Sequence, residues 1–156
     1  MAPSLWPIAR REKDPVTEAE GLTYARRIGL RSRSVAQLMD SVEQGLRYQS
    51  LANLQKSMRL STREIARAVE ISERTLARRK SEGRLKREES ERLVRISRVF
   101  DKAVGLFEGD EQAATRWLRR PARALDEKTP LEYASTEIGA REVENLIGRL
   151  EHGVFS

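Results

Sequence analysis

Apolar residues in this chain recur at three-to-four spacing, and no stretch alternates with period two for long enough to make a strand. A weak helical pattern runs from Thr17 to Ile28, and Arg31-Ser32-Arg33-Ser34 interrupts it. Ser34 can cap a helix whose stripe is Val35, Leu38, Val42 and Leu46. A further helix fits Leu51, Leu54 and Met58 and closes before Ser61. Downstream, the spacing predicts a long helix from about Glu88 to Phe107, with Leu93, Ile96, Phe100, Ala103 or Val104, and Phe107 in step. Glu108-Gly109-Asp110 ends it, and Asp110 caps a short helix to Leu118, before Pro121. Thr129-Pro130-Leu131-Glu132 is a capping box with proline at the first helical position, where its missing N–H has no intrahelical partner to lose. The last helix is predicted over Ala140 to Glu151, carrying Val143, Leu146, Ile147 and Leu150, with Gly153 as its stop. The fold class is all-α.

The sharpest local signals lie between residues 61 and 83. Ser61-Thr62-Arg63-Glu64 is a capping box, and the helix it opens presents Ile65, Ala66 and Val69 on one side. Only Glu70 and Ile71 intervene before Ser72 caps a second helix, which runs to about Gly83. A small residue at the first helix, apolar residues locking the crossing and an exposed second helix are what a helix-turn-helix requires. Ala66 supplies the small residue; Ile65, Val69, Ile71 and Leu76 supply the lock. Ser72, Glu73, Arg74, Ala77, Arg78 and Ser81 then face outward, with Thr75 beside them. Arg74 and Arg78, one turn apart, can each bind guanine bidentately. Arg63, Lys80, Arg84 and Lys86 are placed for phosphates and Ser61 joins the expected DNA-binding residues, while Arg79 falls toward the packed side. The plainer reading is an ordinary solvated helix with spaced ion pairs such as Glu70 with Arg74. Glu70 also stands where such turns often have glycine, because the position tends toward left-handed φ.

Charge changes the picture by its distribution. The 156 residues carry 30 basic and 24 acidic side chains. Residues 56–87 hold 11 basic against 4 acidic, whereas 101–156 hold 8 against 11. A basic block followed by an acidic module indicates two surfaces with two partners, the first a polyanion. The chain divides into a loose arm and weak helical extension over 1–33, a DNA-binding unit over 34–100 and a second module over 101–156. The first 15 residues hold three of the five prolines. Without cysteine, disulfides and thiolate metal sites are excluded, and the lone His152 cannot build a zinc site. Paired catalytic carboxylates, phosphate-binding glycine loops and a nucleophile for His152 are missing, so neither an enzyme nor a cofactor is expected. No apolar run approaches the roughly 18 to 20 residues of a membrane span, and no signal-peptide apolar region is visible near the start.

The segment from Leu60 to Phe100 resembles the Xre-type antitoxins of bacterial toxin–antitoxin pairs, with a Cro-like helix-turn-helix. "AATRWLRRP" at 113–121 and "TPLEYASTEIGAREVENLIGRLEHGVF" at 129–155 resemble the toxin-binding domain of the MbcA/ParS/Xre group. Relatives often have a glycine-rich turn before Thr-Pro-Leu, where this chain has Asp126-Glu127-Lys128. The resemblance implies a type II antitoxin whose module at 101–156 blocks a RES-domain toxin, an enzyme that consumes NAD. It further implies a homodimer that binds operator double-stranded DNA, represses its own operon and joins the toxin in a higher hetero-oligomer. Such a protein acts in the bacterial cytoplasm, at the nucleoid through DNA. Arg149, Glu151, His152, Gly153, Val154 and Phe155 are the expected toxin contacts, the terminal Val-Phe being apolar surface suited to burial in a partner or against the last helix. Trp117 is expected to pack on the Leu93 to Phe107 helix. The competing assignment is a stand-alone helix-turn-helix regulator whose C-terminal module only dimerises.

Overall fold

A computed structural model describes residues 22–153. Its helices are α1 (Thr23–Arg27), α2 (Val35–Gln44), α3 (Tyr48–Met58), α4 (Thr62–Ala68), α5 (Glu73–Glu82), α6 (Arg87–Leu106), α7 (Glu111–Leu118), α8 (Pro130–Tyr133) and α9 (Glu137–Glu151), with a 3-10 turn at Arg123–Leu125. Two isolated bridges, Arg47 with Arg84 and Ala122 with Lys128, are the extended pairings among the described residues. The arm at 1–15, the part of the first predicted helix before Leu22, and the terminal Val154 and Phe155 lie outside the described residues. No described helix is long and apolar enough to cross a membrane.

Most helix starts follow the side-chain caps read from the sequence. Ser34, Ser61, Ser72, Asp110 and Thr129 each accept a hydrogen bond from a backbone N–H in the first turn. The last helix begins at Glu137, three residues before the predicted Ala140, because Thr136 caps it by accepting from the Gly139 N–H. A Cβ on Gly139 would meet the Tyr133 carbonyl at 1.7 Å, so only glycine lets α8 and α9 approach this closely. The α2 stripe is narrower than predicted: Val35 is 48% exposed, and Leu46 is buried from beyond the helix end at Gly45. Gly45, at φ +82°, allows the chain to turn under the Leu85 carbonyl, which a Cβ would meet at 2.2 Å.

α6 is the spine, packing against α1, α2, α3, α7 and α9. Its Leu93, Ile96, Phe100 and Ala103 join Leu51, Leu54, Met58 and Leu76 as well as Leu118, Val143 and Ile147 in one continuous core. Each large apolar side chain buried here contributes roughly 1.5–3 kcal/mol. A smaller cluster of Leu22, Ala25, Leu38 and Val42 fastens α1 and α2 against it. Residue 101, where the second module was expected to begin, falls inside α6. α6 and α9 run parallel, as ion pairs advance along both together: Arg95 and Arg98 with Glu137, then Arg98 and Lys102 with Glu144. Glu151 lies beside Gly105 near the far end.

Candidate nucleic-acid interface and C-terminal surface

Both halves of the Ser61 capping box are formed: Ser61 Oγ accepts from the Glu64 N–H and the Glu64 carboxylate accepts from the Ser61 N–H, each at 3.1 Å. Ile65, Ala66, Val69 and Leu76 are buried, which fixes α4 across α5. Glu70 takes the left-handed conformation with φ +54°, the geometry expected of a turn glycine. Its carboxylate reaches back to Arg92 at 3.8 Å, so the spaced pair with Arg74 does not form. Arg92 also donates to the carbonyls of Val69 and Glu70 at 3.3 and 3.4 Å, holding the turn onto α6.

On α5, Ser72, Glu73, Arg74, Ala77, Arg78, Lys80 and Ser81 are exposed together. Thr75 is only half-exposed; its N–H donates to Ser72 Oγ and its hydroxyl oxygen accepts from the Ser72 hydroxyl. Arg78 lies 4.0 Å from Glu82, while Arg63, Arg74 and Lys80 have no carboxylate within 4 Å among the described residues. Arg84 is exposed but not free. Its guanidinium donates to the Gly45 carbonyl at 2.6 Å, stapling the end of α2 to the segment after α5.

The orientation of α5 depends on a buried ion pair. Arg79 Nε donates to both Glu89 oxygens, at 2.6 and 3.0 Å, and the Lys86 N–H adds a third bond at 2.9 Å. Burial alone would raise the Glu89 pKa, but the bonds from Arg79 and Lys86 outweigh it and hold the carboxyl below its ordinary value. The sequence placed Arg79 on the packed side. That Glu89 answers it required the fold.

A second contact escaped the sequence altogether. Arg119, at the end of α7, forks onto Glu64 at 2.7 and 2.8 Å and donates to the Arg59 carbonyl at 2.9 Å. Burial pushes the Glu64 pKa up, yet the Ser61 N–H and Arg119 together bring it below the usual carboxylate range. Glu64 thus caps α4 and ties it to α7, bordering an open groove of about 550 Å³ lined also by Arg67, Leu131 and Ser135. The only legible signal was a charged pair of arginines after Trp117, which named no partner 55 residues away.

At the other end of the fold, Glu151, His152 and Gly153 are exposed and Arg149 is half-buried. Trp117 is half-buried against the main core. Asp126 and Glu127, in place of glycines, are both left-handed, with φ of 58° and 61°. The Glu127 N–H donates to the Ala122 carbonyl and the Ala122 N–H to the Lys128 carbonyl, each at 3.0 Å, closing that loop. Among the described residues no cluster of His, Asp and Glu has the grouping to hold a metal ion.

Comparison with known proteins places both halves. Residues 37–98 match the Antitoxin Xre-like helix-turn-helix domain, and residues 102–153 match the Antitoxin Xre/MbcA/ParS C-terminal toxin-binding domain. An Antitoxin Xre from Yersinia enterocolitica is 41% identical over 143 residues, covering 91% of this chain and 95% of that protein. The chain belongs to the Xre antitoxin family. A second Antitoxin Xre, from Photorhabdus laumondii, is 39% identical over 132 residues, covering 84% of this chain and 89% of its own. As an Xre antitoxin the chain has a toxin for a partner, and its helix-turn-helix implies DNA binding. A stand-alone regulator with a merely dimerising C-terminal module does not fit an Xre antitoxin. The two matched segments meet inside α6, the helix that joins the cores of both.

Proposed function

We propose that this antitoxin neutralises a RES-domain toxin that consumes NAD and represses its own operon by binding operator DNA as a homodimer. What supports the reading is that the helix-turn-helix and the segment around Glu151 lie at opposite ends of α6. At 20 residues and roughly 1.5 Å per residue this helix is about 30 Å long. Its N-terminal end holds α5 through Arg79 and Glu89, and its C-terminal end lies beside Glu151. DNA and toxin therefore approach from different ends, and neither has to displace the other.

At the DNA end, Arg74 and Arg78 read base edges, each bidentate contact being worth roughly 1 to 3 kcal/mol of discrimination. Arg63, Lys80 and Lys86 contact phosphates, with Ser61 and Ser72 at helix N-termini beside them; Arg84 adds its remaining donors. At the other end, Arg149, Glu151, His152 and Gly153 lead into Val154 and Phe155, the apolar residues that enter the toxin. The identification of that toxin as a RES-domain enzyme rests on the resemblance carried by residues 113–121 and 129–155. Two-fold pairing suits a palindromic operator, and toxin and antitoxin dimers assemble into a larger hetero-oligomer. The antitoxin works in the cytoplasm by binding, without catalysis or cofactor of its own.

Operator and random duplexes separate the roles. Arg74→Ala or Arg78→Ala relaxes the preference for operator, whereas Lys80→Ala weakens both duplexes alike and lowers the salt slope by about 0.9. Equal losses on both duplexes for all three variants contradict the assignment.

A further inference from the structure

We propose that the toxin-binding half of the chain supplies its own phosphate-gripping edge to the DNA interface, formed by Arg116, Arg120 and Arg123 beside Arg63 of α4. The inference rests on the reading that α5 enters operator DNA and extends the contact beyond it, onto the duplex backbone outside the bases that α5 reads.

Charge is segregated within residues 101–156. Although that region is acidic as a whole, five of its eight basic residues fall between Arg116 and Lys128, with only Asp126 and Glu127 against them. Arg116 and Arg120 are exposed and have no carboxylate within 4 Å among the described residues. Arg123, 97% exposed at its side chain, has one loose and solvated pair, with Glu127 at 4.0 Å. Lys102 and Arg141 of the same region, by contrast, are paired with Glu144 and Glu137.

The position of these cations is set by their neighbours on α7. Gln112, Arg116 and Arg119 follow one another at four- and three-residue steps and so share a helix face. Both ends of that stripe touch the corner between α3 and α4. With its amide oxygen turned to the guanidinium, Gln112 accepts from Arg59 at 2.9 and 3.2 Å. Arg119 grips Glu64 and the Arg59 carbonyl. Arg116 lies on that face between the two contacts, toward the N-terminus of α4, and Arg120 and Arg123 follow it in the chain. In a helix-turn-helix the first helix crosses the DNA backbone beside the groove occupied by the second. Arg116 and Arg120 have no protein anion within 4 Å among the described residues, and a polyanion that they bind releases its counterions.

A protein partner is the less suitable occupant. Protein interfaces centre on apolar residues within a polar rim. The exposed large hydrophobics among the described residues are Val35, Met39 and Ile138, none of them on α7 or the 3-10 turn. The surface assigned above to the toxin follows the C-terminal end of α9, whose Glu151 lies beside Gly105 of α6.

The test is a salt titration of operator binding by the full chain carrying Arg116→Ala, Arg120→Ala and Arg123→Ala together, with the triple lysine variant alongside. The alanine triple is expected to lower the slope of log affinity against log salt by about 2 to 3, near 0.9 for each lost phosphate contact. Its preference for operator over random DNA stays unchanged, and the lysine triple keeps the wild-type slope. An alanine triple that retains wild-type helicity, slope and footprint overturns the proposal. So does one that keeps the slope but loses toxin binding, which assigns the edge to the protein partner, or a lysine triple that loses the slope as alanine does. If the wild-type chain itself does not distinguish operator from random DNA, the underlying reading of α5 fails, and this proposal fails with it.

Discussion

Removing the Glu89 carboxylate strands a buried cation. In Glu89→Ala the guanidinium of Arg79, whose side chain is 5% exposed, loses both short bonds and keeps only Glu82 at 3.3 Å, itself half-exposed. Breaking one side of such a pair costs about 3–5 kcal/mol, because the remaining buried charge is left largely uncompensated, here with only the half-exposed Glu82 beside it. The Lys86 N–H loses its acceptor in the same substitution, and this overlaps with the first loss instead of adding fully to it. For a chain of this size each kcal/mol moves the melting temperature by about 2–4 °C, so a fall of roughly 10 °C is expected. Thermal and urea unfolding followed by far-UV circular dichroism measure it, with an unchanged m-value showing that the unfolded state is not the cause. The double variant Arg79→Met with Glu89→Leu separates stability from charge, since replacing a buried pair by apolar side chains is often neutral or stabilising. A loss below about 1 kcal/mol in Glu89→Ala refutes the reasoning, for it means that Arg79 reaches solvent and the pair does not anchor α5.

Two further outcomes follow from the same geometry. Glu70→Gly relieves the left-handed backbone strain at φ +54° and is expected to raise stability by roughly 0.5–1 kcal/mol, less whatever the exposed 3.8 Å pair with Arg92 contributes; denaturant midpoints decide it, and a destabilised variant contradicts the account. Burial raises the pKa of Glu137 and Glu144, but Arg98 with Arg95 at the first, and Lys102 with Arg98 at the second, bring both below the ordinary carboxylate value. Their folded pKa being depressed, the stability they supply is present above the unfolded value near 4.3 and is lost as pH falls below it. Melting temperature should therefore drop between about pH 5 and pH 3, with a shallower drop in Glu137→Gln with Glu144→Gln; an identical acid profile in that double variant rules out the α6–α9 pairs as its source.

What the sequence disclosed and what it withheld divide by range. Capping residues act on N–H groups three residues away, so Ser34, Ser61, Ser72, Asp110 and Thr129 marked helix starts without knowledge of the fold. Thr136 was passed over because Glu137 and Ile138, the latter 81% exposed, do not look like the beginning of a buried stripe. Val35 fitted the spacing on α2, yet the cluster beneath that helix reaches only Leu38 and Val42. The helix-turn-helix was readable because its lock is local. Arg84 looked like a phosphate anchor in isolation, and only the return of the chain past Gly45 showed where its guanidinium binds. Arg119 with Glu64, and Arg98 with Glu144, join residues 55 and 46 apart, and nothing in composition or periodicity selects those pairs among so many charged side chains.

The central claim is tested most directly by cellular NAD. The toxin reading frame paired with this one would be expressed alone, with the full chain, and with a chain ending at Glu151. The account predicts that NAD collapses with the toxin alone, recovers with the full chain and stays low with the shortened one. NAD that remains constant when the toxin frame is expressed alone, or that recovers equally with the shortened chain, contradicts it.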